Sequence, residues 1–361
     1  MFDPKIPYND LPMLPPSVEL ETKTSLKQAL HAGRLLASLN AKAGSIPNQS
    51  MLVNTATLKE AKDSSEIENI VTTSDSLFEG FASDNGGADP ATKEVLSYRE
   101  ALWEGFRAIQ RGKFSQEVFI KVVRKIKKNN MSIREGSGTR VINPKTQEVI
   151  YTPPEGSVRL GTMLENLVLY MNDTTDPVDP LIKLAVIHYQ FEAIHPFADG
   201  NGRAGRIIII LYMVAQGLLD LPILYLSYYL VENKNEYYKK LRAVTEDQAW
   251  EAWIRFMLEG ITRTTRHTID KIDAIQELMQ ETIIVARKKL PERVYSKELI
   301  ELLFEQPYTK GSFLVERGIA KRQTAAEYLK ELEKVGILKA KKVGRENLYQ
   351  NSWLLELLKK H

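Results

Sequence analysis

Along most of this chain apolar residues recur at the three- and four-residue spacing of an amphipathic helix, and the segments that break the pattern divide it into parts. Residues 1 to about 20 lack the period and carry Pro4, Pro7, Pro12, Pro15 and Pro16, so an extended, non-helical arm lying on the body is expected. From Ser25 to Ile70 the pattern is helical, with Leu26, Leu30, Leu35 and Leu36 on one stripe and a second helix over Leu58 to Ile70. The acidic, glycine-rich FASDNGGADP interrupts it. Helices resume with ATKEVLSYREALWEGFRAIQRG and SQEVFIKVVRKIKKNN. The second places Phe119, Val122, Val123 and Ile126 on one buried face and leaves Lys121, Arg124, Lys127 and Lys128 as a solvated one.

SGTRVINPKTQEVIYTPP changes period. TRVIN and EVIYT are β-rich and flank the turn-forming Pro144-Lys145-Thr146-Gln147, which predicts a β-hairpin ended by Pro153 and Pro154. Further helices follow: VRLGTMLENLVLYMND, then LIKLAVIHYQFEA behind the Asp179-Pro180 N-cap pair, then AGRIIIILYMVAQGLL, apolar nearly all round and therefore central. YLVENKNEYYKKLRAVT and the long stretch from QAWEAW to ARKK complete a helical body. The last seventy residues read as a small module: a helix in YSKELIELLF, a helix-turn-helix in TKGSFLVERG and AKRQTAAEYLKELEKVG, and two short strands around Val343-Gly344-Arg345-Glu346. That order is winged-helix-like. The expected division is 1–105 for the arm and first helices, 106–285 for a central helical domain, and 286–361 for the terminal module.

Composition narrows the chemistry. The 361 residues, 43% hydrophobic, suffice for two or three domains. With no cysteine there is no disulfide, thiolate metal site or cysteine nucleophile, and a reducing cytoplasm is the expected location. The longest apolar run, Ile207 to Val214, is far short of the roughly 18 to 20 residues of a bilayer helix, so no membrane contact is expected. The N-terminus has acids and prolines where a secretory signal needs a positive region and an apolar core. A net charge of +3 gives no strong field for nucleic acid. From Glu292 onward there are 14 Lys and Arg against 10 Glu, a surplus of four.

The densest chemistry is in HPFADGNGRAGR, residues 195–206, between two helices. Gly200 and Gly202 let the backbone aim amides at a ligand where the next helix begins, which makes an anion nest. Arg203 and Arg206 share the side of the first turn and suit phosphate oxygens; Asp199 suits magnesium; His195 titrates near neutrality and suits a general base. Phe197 reads as the anchor of the loop.

This string matches at every specified position the signature HxFx(D/E)GNGRxxR, and the chain resembles the Fic family over about residues 60 to 260. The resemblance implies a mainly α Fic helical core with a β-hairpin flap, joined to a C-terminal winged helix-turn-helix. It also implies a protein adenylyltransferase that uses ATP and Mg2+ to move AMP onto a Ser, Thr or Tyr hydroxyl of a target protein or of itself, releasing pyrophosphate. By that resemblance His195 is the base and Asp199 the metal ligand. Asn201, with the amides of Gly200 and Gly202, holds the α-phosphate, and Arg203 and Arg206 hold the β- and γ-phosphates. Gly202 and Arg206 distinguish the chain from the related Doc kinases, which carry a lysine at the first position and lack the second arginine.

Ser64, Glu68 and Asn69 resemble the family's inhibitory helix (S/T)xxxE(G/N). In that role Glu68 pairs with Arg206 in the place of the γ-phosphate. Val149, Ile150 and Tyr151 are the expected edge for a docked target segment, with Arg140 on the partner strand. Tyr237 and Tyr238 match a pair lining the adenine site, although adjacent helical positions point different ways and only one need touch the base. At Thr245 relatives carry an adenine-contacting Asn, and this chain departs. His188 reads as a core histidine. The terminal module offers Lys321, Arg322, Gln323 and Thr324, with Lys341, Lys342 and Arg345 on its wing, to DNA or to a docked protein. Removal of AMP by the same site and a nucleotide-sensing DNA-binding regulator are the alternative functions, and a homodimer stays open.

Overall fold

The computed structural model describes residues 2–46, 49–83, 88–142 and 146–359. The arm is irregular through residue 22 and is held by backbone bonds: Leu14 N–H donates to Asn166 Oδ1 (2.8 Å), Gln190 Nε2 donates to the Pro12 carbonyl (2.8 Å), and Leu11, Leu14 and Leu20 are buried.

Helix α1 (Lys23–Gly44) starts at Thr22, whose hydroxyl accepts from Ser25 N–H. Of the leucine stripe expected on it, Leu36 is in the buried face and Leu26 and Leu30 are not. Leu26 and Leu30 are 41% and 56% exposed, whereas Ser25, Ala29, Ala32, Leu36, Leu39 and Ala43 are buried. The small side chains Ser25, Ala29, Ala32 and Ala43 in this row let the backbone approach the long helix beside it.

α2 (Gln49–Ile67) begins nine residues before the expected Leu58 and buries Lys59, Glu60, Asp63, Ser64 and Ser65 along with its apolar residues. α3 (Ser74–Ala82) follows. α4 (Pro90–Gln110) is capped by Asp89, and α5 (Gln116–Lys127) buries the face expected of it. The hairpin pairs β1 (Val141–Ile142) antiparallel to β2 (Val149–Tyr151), Val141 opposite Tyr151, with a register irregularity. Of the expected turn, Pro144 and Lys145 lie outside the described residues, as do the 84–87 part of the glycine-rich break and His361.

α6 (Ser157–Asn172) leads to α7 (Pro180–Ile194) and α8 (Asn201–Ala215), a nearly wholly buried pair at the centre. α9 (Ser227–Glu232) packs on α2, and α10 (Lys234–Asp247) packs on the helix that follows it. The stretch from Trp250 to Lys289 is one continuous helix, α11, about 60 Å long at ~1.5 Å per residue. It runs from the central helices into the terminal module. The expected boundaries after residues 105 and 285 fall inside α4 and α11.

The module contains α12 (Lys297–Leu302), β3 (Tyr308–Thr309), α13 (Gly311–Glu316), α14 (Arg322–Lys334), β4 (Lys339–Val343), β5 (Glu346–Gln350) and α15 (Ser352–Lys359), with sheet order β3-β5-β4. β3 and α15 add to the expected elements. The module rests on α2 and α3. Ser83 Oγ donates to Glu346 Oε2 (2.7 Å), Lys59 Nζ donates to the Leu358 carbonyl (3.3 Å), and Lys341 pairs with Glu79. One wing lysine offered to DNA is therefore engaged within the chain. No helix among the described residues is long and apolar enough to cross a membrane.

Candidate active site

The site forms where α7 hands over to α8. His195 follows α7 in the left-handed region (φ 48°), its amide bonded to the Phe191 carbonyl. Phe197 is fully buried, and Asn201 closes a ring with it: Phe197 N–H donates to Asn201 Oδ1 (2.9 Å), and Asn201 Nδ2 donates to the Phe197 carbonyl (2.8 Å). Both ends of the Asn201 amide thus shape the loop. The Asn201 backbone N–H stands at the start of α8. Gly200 has φ 84°, a conformation that L side chains rarely adopt.

Arg203 and Arg206 are both 2% exposed. Arg203 Nη1 donates to Glu94 Oε1 on α4 (2.7 Å). Arg206 Nε donates to Ser64 Oγ (2.7 Å), and its Nη2 donates to the Ser64 carbonyl (2.9 Å) and to Glu68 Oε1 (2.8 Å). A Cβ on Gly202 would meet Glu68 Oε1 at 2.4 Å, so the carboxylate lies directly over the first turn of α8. A helix N-terminus attracts anions, and here the anion belongs to the chain itself. Burial works to raise the Glu68 pKa, but Arg206, with Arg203 and Lys234 behind it, outweighs burial and lowers it. Asn69 follows at φ 62° and accepts from Lys234 Nζ (3.3 Å), so asparagine serves as the residue that turns the chain after α2.

Burial pushes His195 down to about 4, with the Arg134 guanidinium adding to the shift, so the imidazole is neutral across physiological pH and free to accept a proton. Asp199 is 59% exposed on its side chain and pairs with Lys127 Nζ at 2.5 Å; Lys127 also stands 3.6 Å from Glu94. The basic face of α5, expected to be solvated, therefore reaches the site. Burial opposes ionisation of Asp199, and Lys127 and Arg203 overcome it and lower its pKa. Among the described residues no three potential metal ligands stand together, but magnesium on a nucleotide needs only one or two carboxylates beside phosphate oxygens, and Asp199 fits that demand.

Three matches cover most of the chain: the Fic/DOC family N-terminal domain at residues 26–107, the Fic/DOC family at 99–213, and the C-terminal domain of the SoFic-like protein adenylyltransferases at 278–354. This chain carries Fic/DOC family domains. Among its relatives are protein adenylyltransferase fic-1 of Caenorhabditis elegans, 38% identical over 81 residues, and a probable protein adenylyltransferase of Aquifex aeolicus, 33% identical over 97. The matched stretches are 22% and 27% of this chain, and they span only 14% and 27% of those relatives. The fold resembles that of a Fic family protein from Desulfovibrio desulfuricans (TM-score 0.58, 17% identity, 91% of this chain and 96% of that one). It also resembles Fic-1 of C. elegans, residues 134–508 (TM-score 0.51, 19% identity, 70% and 75%).

Other residues singled out in the sequence make contacts within the chain. Tyr237 is 1% exposed and its hydroxyl bonds His188 Nε2 (2.9 Å) among Trp253 and Phe256, so it belongs to the core. Tyr238, 42% exposed, remains at the surface of the pair. Thr245 bonds the Tyr189 hydroxyl (2.9 Å). On the flap Val149 and Ile150 are half-buried, while Tyr151 turns inward: its hydroxyl donates to the Ala193 carbonyl (2.8 Å) and its ring packs on Phe2 and Tyr8. The Tyr151 side chain is therefore engaged within the chain.

Three site neighbours had no sequence signal. Glu94 and Lys127 sit on helices far away in sequence, and Arg134 lies in an irregular loop. A fourth, Glu192, stands three residues before His195. A Cβ on Gly205 would meet its Oε1 at 2.3 Å, and burial raises its pKa to about 7.

Proposed function

We propose that this Fic chain is a protein adenylyltransferase held off by its own Glu68. The observation that carries the reading is a carboxylate seated on the N-terminal turn of α8, paired to Arg206, beside a neutral His195. An anion site closed by an internal anion, next to a base, suits transfer of a phosphoryl-centred group under autoinhibition. The names of the relatives support adenylyl transfer in particular.

In this reading ATP lays its terminal phosphates along Arg203 and Arg206, and Glu68 swings aside. The His195 imidazole takes the proton of a target hydroxyl, whose oxygen attacks the α-phosphorus in line as the bond to the bridging oxygen of the β-phosphate breaks. AMP remains on the target and pyrophosphate leaves. The amides at the start of α8 stabilise the charge that builds on the phosphoryl oxygens. Asp199 is the residue that would hold Mg2+, which when bound neutralises phosphate charge. Lys127 has to release Asp199 for that. The terminal module reads as a docking unit for the chain's own α2 and α3, since its wing lysine Lys341 is held by Glu79; this weighs against a DNA-reading role.

The test is incorporation of α-phosphate-labelled ATP into lysate protein by wild type, Glu68→Gly, His195→Ala and the double variant, with and without Mg2+. Label is expected with Glu68→Gly and Mg2+, and is expected to vanish when His195 is also replaced. No label in any lane, with release of AMP from a pre-modified protein by wild type, would replace transfer by removal as the activity.

A further inference from the structure

The last two carbonyls of α7, which leads into the catalytic base of the reading above, and the two that follow it have no helical partners of their own. All four accept from the flap or its lead-in. Ala193 accepts from the Tyr151 hydroxyl at 2.8 Å, Ile194 from Arg134 Nη2 at 3.3 Å, His195 from Arg134 Nε at 2.8 Å, and Pro196 from the Arg134 backbone N–H at 2.9 Å. Arg134 Nη2 also donates to the Pro154 carbonyl at 2.5 Å, just past β2. One side chain, 7% exposed, therefore ties the loop before the flap, the end of the flap and the last turn of α7 together.

The physics of each bond favours this arrangement. Helix ends leave carbonyls unpaired and carry partial negative charge, which a buried guanidinium with its planar fork both neutralises and bonds at two directions at once. His195 has a left-handed backbone (φ 48°), strained for a non-glycine residue, and its carbonyl is one of those held. A base must stand within hydrogen-bond reach of its proton, so whatever fixes that peptide fixes the reaction geometry.

We propose that Arg134 is a positioning residue for the base, with Tyr151 as its second latch, and that together they couple the seating of the flap to the orientation of His195. A target segment laid along β2 then bears on the base through Pro154 and Ala193 and not only through its own hydroxyl. The charge of Arg134 also holds the imidazole neutral, after burial and against the opposing pull of Glu68 and Asp199.

The proposal rests on adenylyl transfer as the activity, and the experiment separates the two. In a Glu68→Gly background, Arg134→Met, Arg134→Lys and Tyr151→Phe are compared for ATP binding by calorimetry and for the rate of label incorporation at saturating ATP. His195 titration is followed by nitrogen NMR of the imidazole. Arg134→Met is expected to lower the rate by about tenfold to a hundredfold with ATP affinity unchanged, and Arg134→Lys to recover part of it. Tyr151→Phe, which removes one bond and leaves the ring packing, is expected to lower the rate by a smaller factor and keeps the test alive if Arg134→Met does not fold. The His195 titration midpoint should rise in Arg134→Met. Rate and ATP affinity falling together, or a His195 midpoint unmoved, would overturn the proposal. If the Glu68→Gly parent transfers no label, the activity reading fails, and the His195 titration still decides for or against Arg134.

Discussion

Removing the Glu68 carboxylate should convert a closed anion site into an open one, and the structure sets the size of the effect. Arg206 is 2% exposed and Glu68 37% exposed on its side chain, with Nη2 and Oε1 2.8 Å apart. Breaking a fully buried pair costs about 3–5 kcal/mol and an exposed one about 0–1, so this half-open pair, screened from one side, is worth about 1–2 kcal/mol. If ATP must displace the carboxylate to reach Arg206, that is the handicap on its affinity. Glu68→Gly is then expected to bind ATP about 5 to 30 times more tightly. ADP, which lacks the terminal phosphate that the proposed reading sets against Arg206, should gain less. The glycine's added freedom in the unfolded chain lowers the melting temperature but does not enter the ratio of affinities. Calorimetric titration of ATP and ADP into wild type and Glu68→Gly, with Mg2+ and at fixed ionic strength, measures both effects. Equal ATP affinities, or an ADP gain as large as that of ATP, would refute the reasoning.

Three further outcomes follow. His195 titrates at about 4 in the folded protein, so the acid limb of kcat/KM in Glu68→Gly is expected nearer pH 4 than the 6.5 of a free imidazole; a limb centred on 6.5 would contradict a buried base. Glu60 is buried and raised to about 7 from 4.5, so its contribution to stability is complete below pH 4.5 and is lost as pH rises through 7, about 3 kcal/mol in all. Glu60→Gln should flatten the dependence between pH 5 and 8, read by urea unfolding at the two ends. Lys127→Met frees Asp199 of its ammonium, and the Mg2+ concentration for half-maximal ATP binding is expected to fall by up to about fivefold; an unchanged value would show that the pair does not compete with the metal.

What could be read from the sequence was local. The string from His195 to Arg206 names its own chemistry because base, carboxylate, glycines and arginines lie within one loop and one helical turn. α5 declared its buried face because Phe119, Val122, Val123 and Ile126 contrast with the lysines opposite. What depended on distant partners was hidden. The buried row of α1 mixes alanines with Leu36 and Leu39 because α11 lies close against it, and nothing within α1 says which leucines face inward. Lys127 looked solvated until Asp199 was brought to it across some seventy residues of chain. Period-two alternation gives β2 two faces without saying which is inner, and the Tyr151 hydroxyl proves to be bonded to the Ala193 carbonyl. Arg134 sits in a stretch with no period at all, so only its four bonds reveal it.

If Glu68 holds the site off as proposed, the way it lets go follows from comparing two motions. Moving α2 as a body would strand the Glu60 carboxylate, which accepts from Ser227 N–H (3.0 Å), Ser227 Oγ (2.5 Å) and the Tyr98 hydroxyl (2.8 Å), and would part Lys59 from the Leu358 carbonyl. Each buried group left unpaired costs about 1–3 kcal/mol, so the helix shift is several times dearer than the ion pair it would release. Glu68 lies one residue past the end of α2 and reaches solvent, so rotating its side chain breaks the pair alone. The cheaper motion wins. It also leaves Ser64 in place, and Ser64 makes two bonds to Arg206 that do not involve Glu68. The guanidinium therefore keeps its position when the carboxylate departs, and an incoming phosphate meets an arginine already aimed. In the proposed reading Ser64 of α2 and Glu68 just past it thus divide the work: one orients Arg206 in both states, and the other withholds it in one.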